Sequence, residues 1–335
     1  MAGNAWHGRS VLVTGGGGFV GSWLVRTLVE RGAAVTVILR DQPGQSNLCL
    51  LGLASQISIA QGSITDYALV ERTFNEYEID TCFHLAAQAI VGAANRSPLS
   101  TFESNIKGTW TVLEACRGSK LVERVVIASS DKAYGSQPKL PYTEETSLLG
   151  ANPYDASKAC TDIIARSYHQ TFGVPAAVAR CANIYGGGDL NFSRLIPGTI
   201  RSALAAERPV IRSDGTPMRD YLYVDDAVSA YLSLAEQVTR ESVAGQAFNF
   251  GANSPVSVLE LVQRILELSG TPHLTPDVRG TGKLNDEIDR QYLDSRKAAD
   301  VLGWAPTVSL DEGLRRAVEW YRALLAKPAL RAVTG

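Results

Sequence analysis

The stretch "VTGGGGFVG" at residues 13–21 decides the fold class of this 335-residue chain. It follows a short apolar run and precedes a segment (22–32) whose apolar residues recur at helical spacing. In the pattern of Gly15, Gly18 and Gly21, one glycine permits a tight turn, one admits a pyrophosphate, and one lets helix and strand pack closely. The N-terminus of a helix favours the same anion. This order of strand, glycine loop and helix predicts a dinucleotide-binding unit rather than a flexible turn.

Short apolar runs alternate with amphipathic segments along the first half of the chain. The pattern predicts strands at 10–15, 34–39, 57–66, 81–87, 124–130 and 175–186, and helices at 22–32, 67–76, 101–117 and 155–173. Such alternation is typical of a parallel sheet with helices on both faces. Sheets of this kind bind their ligands at the carboxyl ends of the strands.

After residue 186 the alternation becomes irregular. Loops rich in Arg, Asp, Pro and Gly are expected at 186–220 and 270–295, and helices at 256–269 and 310–327. We therefore predict an α/β protein with a Rossmann-type, doubly wound parallel sheet and a smaller α/β substrate-binding lobe. The predicted bounds are 1–185, with a return segment at about 220–250, for the dinucleotide-binding domain, and 186–219 with 251–330 for the lobe.

The composition excludes several classes of partner. The formal net charge is −2, so no broad basic surface is expected to bind nucleic acid or an anionic membrane. The five cysteines form no CxxC pair and the four histidines show no ligand spacing, which predicts reduced thiols, no metal site and a cytoplasmic location. No segment is long and apolar enough to span a bilayer, and the first ten residues lack a signal-peptide core.

The residues after the second predicted strand bear on the choice of dinucleotide. Asp41 is the residue type that binds the adenosine ribose hydroxyls, whereas Arg40 is the type that accommodates a 2′-phosphate. The two lie side by side in "ILRD", so the sequence favours NAD through Asp41 and leaves NADP as the alternative. Asp66 in "GSITD" is expected either to meet the adenine or to cap the helix that begins at Tyr67.

Tyr154 and Lys158 in "YDASK" lie four residues apart at the start of a predicted helix, so they share one face. A nearby ammonium lowers the pKa of a tyrosine, which would make Tyr154 a general base near neutral pH. An ordinary surface contact is the alternative for an isolated pair. The glycine loop upstream and Ser130 at the end of an intervening strand favour the catalytic interpretation.

Several motifs in a fixed order resemble those of the extended short-chain dehydrogenase/reductases, the group that contains nucleotide-sugar epimerases and dehydratases. The resemblance covers nearly the whole chain and implies a nicotinamide cofactor and a nucleoside-diphosphate sugar in the cleft. The motifs are "TGGGGFVG" (14–21), "FHLAAQ" (83–88), "NIKGT" (105–109), "SSDKAYG" (129–135), "YDASK" (154–158), "NIYGGGD" (183–189), "RDYLYVDD" (219–226) and "LGWAP" (302–306).

The resemblance implies a role for each residue of the expected active site. Ser130, Tyr154 and Lys158 would form the catalytic triad. Tyr154 would take the proton of the sugar 4-hydroxyl, Ser130 would hold the same oxygen, and Lys158 would hold the nicotinamide ribose. The residues expected to bind the dinucleotide are Gly15, Gly18, Phe19, Val20, Arg40, Asp41, Ile64, Asp66, Leu85, Ala86, Ala87, Gln88, Tyr154 and Lys158.

Asp131 and Lys132 follow the triad serine directly. In this family, hexose 4,6-dehydratases carry an acid and a base at these positions, which expel the 6-hydroxyl as water after oxidation at carbon 4. Most have Glu at the second position, and Asp-Lys, together with "GSWL" (21–24) and "GGGD" (186–189), resembles the CDP-glucose 4,6-dehydratases. Lys132 would be the carbon-5 base if desolvation lowers its pKa or a neighbour relays the proton.

These features predict a 4,6-dehydratase with a CDP-glucose-like substrate. A UDP-sugar 4-epimerase is the first alternative, in which Asp131 and Lys132 would only stabilise their loop. An inactive nucleotide-binding protein of the same fold is the second. Arg40 resembles the GDP-mannose dehydratases, which use NADP, so the nucleotide base and the cofactor stay open.

Arginine side chains suit the diphosphate of such a substrate, because their guanidinium forks match phosphate oxygens. The resemblance supports Arg219 and Arg290 as contacts to the pyrophosphate or ribose, and a surface salt bridge is the alternative for each. The other residues expected at the nucleotide sugar are Asn183, Arg194, Leu195, Arg212 and Tyr223. The predicted helices 101–117 and 155–173 are those that pair in family homodimers.

Overall fold

The computed structural model describes residues 5–41, 46–280 and 288–326. Part of the loop predicted at 270–295 and the end of the helix predicted at 310–327 lie outside the described residues. The strands are β1 (Ser10–Thr14), β2 (Ala34–Leu39), β3 (Ser58–Gln61), β4 (Thr81–His84), β5 (Arg124–Ala128), β6 (Ala176–Cys181), β7 (Asn183–Tyr185), β8 (Val210–Ile211), β9 (Met218–Arg219), β10 (Tyr221–Tyr223), β11 (Ala247–Phe250), β12 (Val256–Ser257), β13 (Asp277–Val278) and β14 (Arg290–Gln291).

The helices alternate with the strands of the first half and dominate the rest. They are α1 (Phe19–Glu30), α2 (Asn47–Leu50), α3 (Tyr67–Glu76), α4 (Val91–Arg96), α5 (Pro98–Phe102), α6 (Gly108–Gly118), α7 (Pro153–Phe172), α8 (Leu195–Leu204), α9 (Val224–Gln237), α10 (Val258–Ser269) and α11 (Leu310–Leu325). The sequence did not predict α8 or α9. Helix α9 buries nine of its 14 residues, so its apolar face is broader than that of a typical surface helix.

A seven-stranded parallel sheet forms the centre of the molecule and confirms the predicted α/β class. Its strand order is β11-β6-β5-β4-β1-β2-β3, and every strand pair in it is parallel. The order reverses between β1 and β4, where the helices switch faces and leave a crevice at the carboxyl ends of the strands. Strand β11 comes from the predicted return segment, so the chain crosses back to complete the sheet.

The single helix predicted at 101–117 is interrupted in the structure. Residues Glu103–Lys107 form a π-helical turn between α5 and α6. Such a turn accommodates one extra residue and is often found at functional sites. Here it carries Asn105, whose side chain is buried and points toward the carboxyl end of β4 through its hydrogen bonds with Gln88.

A buried ion pair joins the central sheet to helix α7. Arg180 on β6 makes two hydrogen bonds to Asp162 on α7, of 2.7 and 2.9 Å, and both side chains are buried. The same guanidinium donates to the Tyr134 hydroxyl at 2.8 Å, and that hydroxyl donates to Asn249 on β11 at 2.7 Å. Removing one partner from such a pair costs about 3–5 kcal/mol, because the remaining charge stays buried without compensation.

The smaller lobe packs helices α8, α10 and α11 around a shared apolar cluster. Its three-stranded sheet has the order β12-β9-β14, with β9 parallel to β14. The loop after β7 ties the lobe to the first helix, since Trp23 Nε1 donates to the Gly187 carbonyl at 2.7 Å. The motifs "GSWL" and "GGGD" are therefore in direct contact.

Within the described ranges, no helix has the length and hydropathy needed to cross a membrane. The same residues contain no cluster of three or more His, Cys, Asp or Glu side chains that could hold a metal ion. All five cysteines are free thiols.

Candidate active site

The glycine loop lies at the switch point of the sheet, where β1 and β4 are neighbours. Gly15 has a φ of +74°, and a Cβ at this position would lie 2.7 Å from the amide nitrogen of Ala86. A Cβ on Gly21 would overlap the Gly15 carbonyl. Only glycine fits both positions, because the backbone itself fills the space that a side chain would need.

Helix α1 begins at Phe19 with an N-terminus that suits a diphosphate. Gly18 caps it without a side chain, and its first turn contains no acidic residue. The Gly18 N–H donates to Gly15 O and the Ser22 N–H to Gly18 O, so the N–H groups of residues 19–21 point out of the helix end. Together with the glycine backbone they form a cradle that a dinucleotide pyrophosphate fits.

The segment after β4 faces this cradle. Leu85 N–H donates to Thr14 O at 3.1 Å, and Ala86 N–H donates to Thr14 Oγ1 at 3.2 Å. The N–H of Gln88 donates to Asn105 Oδ1 at 2.7 Å, so Asn105 fixes the backbone beside Ala87. Asn105 also donates to Ser157 Oγ at 2.9 Å. The site residues expected from the sequence do not include Asn105, although it lies in the motif "NIKGT".

Three other residues expected at the dinucleotide have clear structural partners. Arg40 and Asp41 form an exposed ion pair with each other at 2.9 Å. Asp66 caps helix α3 by accepting a hydrogen bond from the Leu69 N–H at 3.2 Å, as one of its two predicted roles requires.

Ile64 and the first helix residues complete the predicted cofactor set. Ile64 is buried and packs against Gly108, where a Cβ would overlap its side chain. Phe19 and Val20 form the first turn of α1, next to the glycine backbone.

A short 3₁₀ turn (Asp131–Tyr134) follows β5 and carries the charged side chains of Asp131 and Lys132. Ser130 caps the turn: its Oγ accepts from the Lys132 N–H at 3.2 Å and donates to Asp131 Oδ1 at 3.0 Å. Asp131 is buried, and its Oδ2 has no hydrogen-bond partner among the described residues. A buried polar atom without a partner is costly, so this oxygen is available to a substrate.

The Lys132 ammonium lies beside that carboxylate. Its Nζ is 3.8 Å from Asp131 Oδ1 and donates to the side-chain oxygen of Gln291, a residue of strand β14. The Asp131 carboxylate and the Lys132 ammonium, which are adjacent in the sequence, are therefore also close in space.

Tyr154 begins helix α7 next to the same turn. Burial raises the pKa of Tyr154 to about 12, while the Arg194 guanidinium opposes this shift, Asp131 adds to it and a hydrogen bond to Ser130 lowers it. The expected lowering of this pKa by Lys158 is not what the structure shows. The cation that acts on the phenol is Arg194, because the Lys158 ammonium is directed elsewhere.

Lys158 is buried one turn further along α7. Its Nζ donates to the Ala128 carbonyl at 2.7 Å, at the carboxyl end of β5. Burial lowers the pKa of Lys158 to about 8, and Cys181 opposes this shift. Tyr154 and Lys158 thus share a helix face, as their spacing predicts, but each has its own partner.

The arginines expected at the diphosphate occupy three different settings. Arg219 is buried in β9 and its Nη1 donates to the carbonyls of Met218 and Asp289 at 2.8 and 3.1 Å. Arg290 is exposed on the adjacent strand β14. Arg194 lies at the start of α8, paired with Asp189 at 2.9 Å, and is the one that reaches toward Tyr154.

The remaining residues expected at the substrate divide between the cleft and the core. Asn183 is partly buried and its amide donates to the Asp220 carbonyl at 3.2 Å. Leu195 begins α8, and Arg212 is exposed. Tyr223 packs in the apolar cluster of the lobe, with its ring 5.6 Å from that of Tyr185.

Comparison with known proteins shows the family of this chain. Residues 12–317 match the family described as GDP-mannose 4,6 dehydratase. The chain belongs to this family. A dTDP-glucose 4,6-dehydratase of Neisseria gonorrhoeae is 33% identical over 93% of this chain and 95% of its own.

Solved structures of family relatives show the same fold. The UDP-glucose 4-epimerase of Thermotoga maritima superimposes with a TM-score of 0.85 and 31% identity, covering 94% of this chain and 99% of its own. A dTDP-glucose 4,6-dehydratase of Streptomyces venezuelae, solved with NAD bound, gives 0.84 and 30% identity over 94% and 98%. This family member is therefore an enzyme of the nucleotide-sugar dehydratase and epimerase group, as the motifs predicted, and the inactive-protein alternative is wrong.

Asp155 is a charged residue of this site that sequence reasoning missed. It follows Tyr154 directly and is buried. Burial raises its pKa to about 6, the Lys132 ammonium opposes this shift, and Asp131 adds to it. The site of this family member thus contains two buried carboxyl groups around one ammonium. Its place in the first turn of α7, next to the tyrosine, was the available signal.

Asp155→Asn should stabilise the protein at alkaline pH. The folded-state pKa of about 6 lies above the ordinary value of 3.8, so the stability that depends on this group is present at low pH and lost as pH rises through 6. The substitution should raise the free energy of unfolding by up to about 3 kcal/mol at pH 8, with the gain fading between pH 6 and 4. Urea unfolding at several pH values measures this.

The matched control for Asp155 is Asp300→Asn, which removes the same charge from an exposed position. Its effect should stay within about 0.5 kcal/mol. An equal gain for Asp155→Asn at pH 4 and pH 8 would contradict the assignment, because the gain would then not come from the charge.

Proposed function

We propose that this enzyme is an NAD-dependent nucleotide-sugar 4,6-dehydratase. The observation that carries the proposal is the turn after β5, where the buried Asp131 carboxyl and the Lys132 ammonium lie 3.8 Å apart beside Ser130 and Tyr154. A 4-epimerase needs only the oxidation machinery, since hydride returns to carbon 4. An additional acid and base at this place match the needs of an elimination.

The first half of the reaction uses the triad. Tyr154 takes the proton of the 4-hydroxyl as carbon 4 is oxidised, and Ser130 donates a hydrogen bond to the same oxygen. NAD, held by the glycine loop, would supply the hydride acceptor for carbon 4 and the hydride donor for carbon 6. Because burial raises the pKa of Tyr154 to about 12 and Arg194 opposes the shift, the positive charge of Arg194 supports the phenolate that this step needs.

The second half expels water. Once carbon 4 is a ketone, the carbon-5 proton is acidic and the neutral amine of Lys132 removes it, while Asp131 in its protonated form gives a proton to the departing 6-hydroxyl. The carbon–oxygen bond at carbon 6 breaks, carbon 6 receives the stored hydride and Lys132 returns its proton to carbon 5, leaving a 4-keto-6-deoxy sugar and one water. Tyr154 has gained one proton and Asp131 has lost one, and exchange with solvent restores both.

The dinucleotide would be held by the glycine loop, the N-terminus of α1 and the segment Leu85–Gln88. Two observations support NAD. The relative from Streptomyces venezuelae was solved with NAD, and the Asp41 carboxylate at the end of β2 would repel a 2′-phosphate. Lys158, whose ammonium lies beside the Ala128 carbonyl, would bind the nicotinamide ribose.

The substrate is a nucleoside-diphosphate sugar, which we propose to be CDP-glucose-like. Asp131-Lys132 and the contact of Trp23 with Gly187 support this choice. The names of the relatives mention dTDP-glucose and UDP-glucose, so a panel of nucleotides is needed. Arg219, Arg290 and Arg194 are the proposed diphosphate contacts, and Asn183 would meet a phosphate or sugar hydroxyl. The free thiols fit the reducing cytoplasm.

Asp131→Asn should stop water loss but spare oxidation at carbon 4. An amide keeps the shape of the side chain but cannot give a proton to the departing hydroxyl, and such a loss costs about 10²–10⁴-fold in rate. Incubation with dTDP-, CDP-, UDP- and GDP-hexoses, followed by mass spectrometry, should show a dehydrated product for the wild type. The variant should give a 4-keto hexose that retains its 6-hydroxyl.

The control for Asp131→Asn is Tyr154→Phe, which should remove both half-reactions while cofactor stays bound. A wild type that gives only a sugar of unchanged mass with every accepted substrate would overturn the dehydratase proposal. That result would favour the 4-epimerase, and the structural similarity to the Thermotoga maritima enzyme supports it as the second candidate.

Cofactor released from denatured protein should be mostly NAD. The Asp41 side chain is exposed at the end of β2, where a 2′-phosphate would meet a like charge. Chromatography of the released dinucleotide measures the ratio, and Asp41→Ala should raise the affinity for NADP. A preparation containing mostly NADP would reverse the assignment and make Arg40 the residue that recognises the phosphate.

We further propose that the enzyme is a homodimer formed through α5, α6 and α7. These helices expose Leu99, Trp110, Ile163 and Phe172 by 72%, 44%, 57% and 54%, an apolar patch of the kind that marks protein interfaces. Light scattering after size exclusion should give a dimer mass, and Trp110→Lys with Ile163→Lys should give a monomer. Val210→Lys, at an exposed apolar position of the other lobe, should leave the dimer intact. A monomeric wild type would contradict the proposal.

A further inference from the structure

Gln291 extends from the smaller lobe into the turn that carries Asp131 and Lys132. Its side chain is fully buried. The amide nitrogen donates to the main-chain carbonyl of Asp131 at 2.9 Å, and the amide oxygen accepts from Lys132 Nζ. One side chain therefore contacts the backbone of the proposed acid and the ammonium of the proposed base.

The two hydrogen bonds leave the Gln291 amide with a single orientation. An amide accepts through oxygen and donates through nitrogen, and here each end has a partner of the matching kind. Lysine side chains have four rotatable bonds and no preferred direction for their charge. The amide oxygen of Gln291 supplies that direction for Lys132, while the bond to Asp131 O holds the turn from which both groups project.

The position of Gln291 is set by strand pairing on both sides. Strand β14 pairs with β9, which places Gln291 opposite Arg219 and Arg290 opposite Met218. On the other side, the Tyr142 N–H donates to the Tyr292 carbonyl at 3.0 Å. The strand is thus fixed between the proposed diphosphate contacts and the loop that follows the turn at Asp131–Tyr134.

We propose that Gln291 is a positioning residue for the elimination step. It holds the Lys132 amino group and the Asp131 backbone in the arrangement that removal of the carbon-5 proton by the neutral amine requires. Because its strand also carries Arg290 and pairs with Arg219, the nucleotide contacts and the elimination pair keep a fixed relation. This inference rests on the proposed 4,6-dehydratase function and assigns a role to a residue that acts through Lys132 and Asp131.

Oxidation at carbon 4 does not depend on Gln291. That step uses Ser130 and Tyr154, and neither side chain forms a hydrogen bond to β14 among the described residues. Loss of Gln291 should therefore separate the two half-reactions, whereas a purely structural residue would weaken both together.

The test is Gln291→Met, which keeps the length of the side chain and removes both hydrogen bonds. With the nucleotide sugar that the wild type dehydrates, kcat for water loss should fall by about 100-fold, the size of effect expected from a misplaced catalytic group. KM should stay unchanged, and 4-keto hexose that retains its 6-hydroxyl should accumulate. Gln291→Glu keeps an oxygen acceptor for Lys132 and should lose less activity than Gln291→Met.

The matched control is Gln237→Met. Gln237 is partly buried, and like Gln291 its amide has two partners: it donates to the Leu302 carbonyl at 2.9 Å and accepts from Arg240. It lies on α9, away from the turn that carries Asp131. Its substitution should leave the ratio of dehydrated sugar to 4-keto hexose at the wild-type value. Because this ratio is measured within folded molecules, it remains informative if Gln291→Met lowers the yield of folded protein.

Two outcomes would overturn the role of Gln291. One is a Gln291→Met variant that dehydrates at the wild-type rate, and the other is a variant whose oxidation and elimination fall by the same factor. A wild type that never loses water refutes the 4,6-dehydratase proposal itself, and this result is obtained before any variant is measured. The two failures are therefore distinguishable.

Discussion

The buried ion pair between Arg180 and Asp162 fixes the geometry on which the active site depends. Asp162 lies on α7, the helix that carries Tyr154 and Lys158, and Arg180 lies on strand β6 of the seven-stranded sheet. The guanidinium also binds Tyr134, the last residue of the turn that carries Asp131. A charge enclosed in the core must keep all of its partners, so the helix and the turn are held at one distance from each other and from the sheet.

Close backbone approach at the switch point is the second constraint. Gly15 and Gly21 leave no room for a side chain between β1, α1 and the segment after β4, so the N-terminus of α1 opens directly onto the crevice. The proposed triad and the proposed elimination pair lie across this crevice, at the carboxyl end of β5. The sheet thus places the dinucleotide cradle and the charged turn on the same edge, as parallel α/β sheets do with their ligands.

The smaller lobe contacts the turn that carries Asp131 and Lys132. Strand β14 of the smaller lobe carries Gln291, whose side chain donates a hydrogen bond to the Asp131 carbonyl. The same strand pairs with the strand of Arg219. The loop after β7 is tied to helix α1, where Trp23 donates a hydrogen bond to the Gly187 carbonyl. In the proposed mechanism, nucleotide binding and water elimination share one rigid frame, which keeps a reactive keto sugar in a single orientation between its two chemical steps.

Local sequence determined the parallel sheet, the glycine loop, the helix face shared by Tyr154 and Lys158, and the family, because strand and helix periods and short motifs depend on neighbours in the chain. It did not determine that π-turn residues would bury Asn105, or that Gln291 would reach Lys132 from 159 residues away. The pKa of Tyr154 was also decided by tertiary structure, since burial and Arg194 act on it. Desolvation and long-range contacts depend on which distant segments pack together, and no local pattern records that.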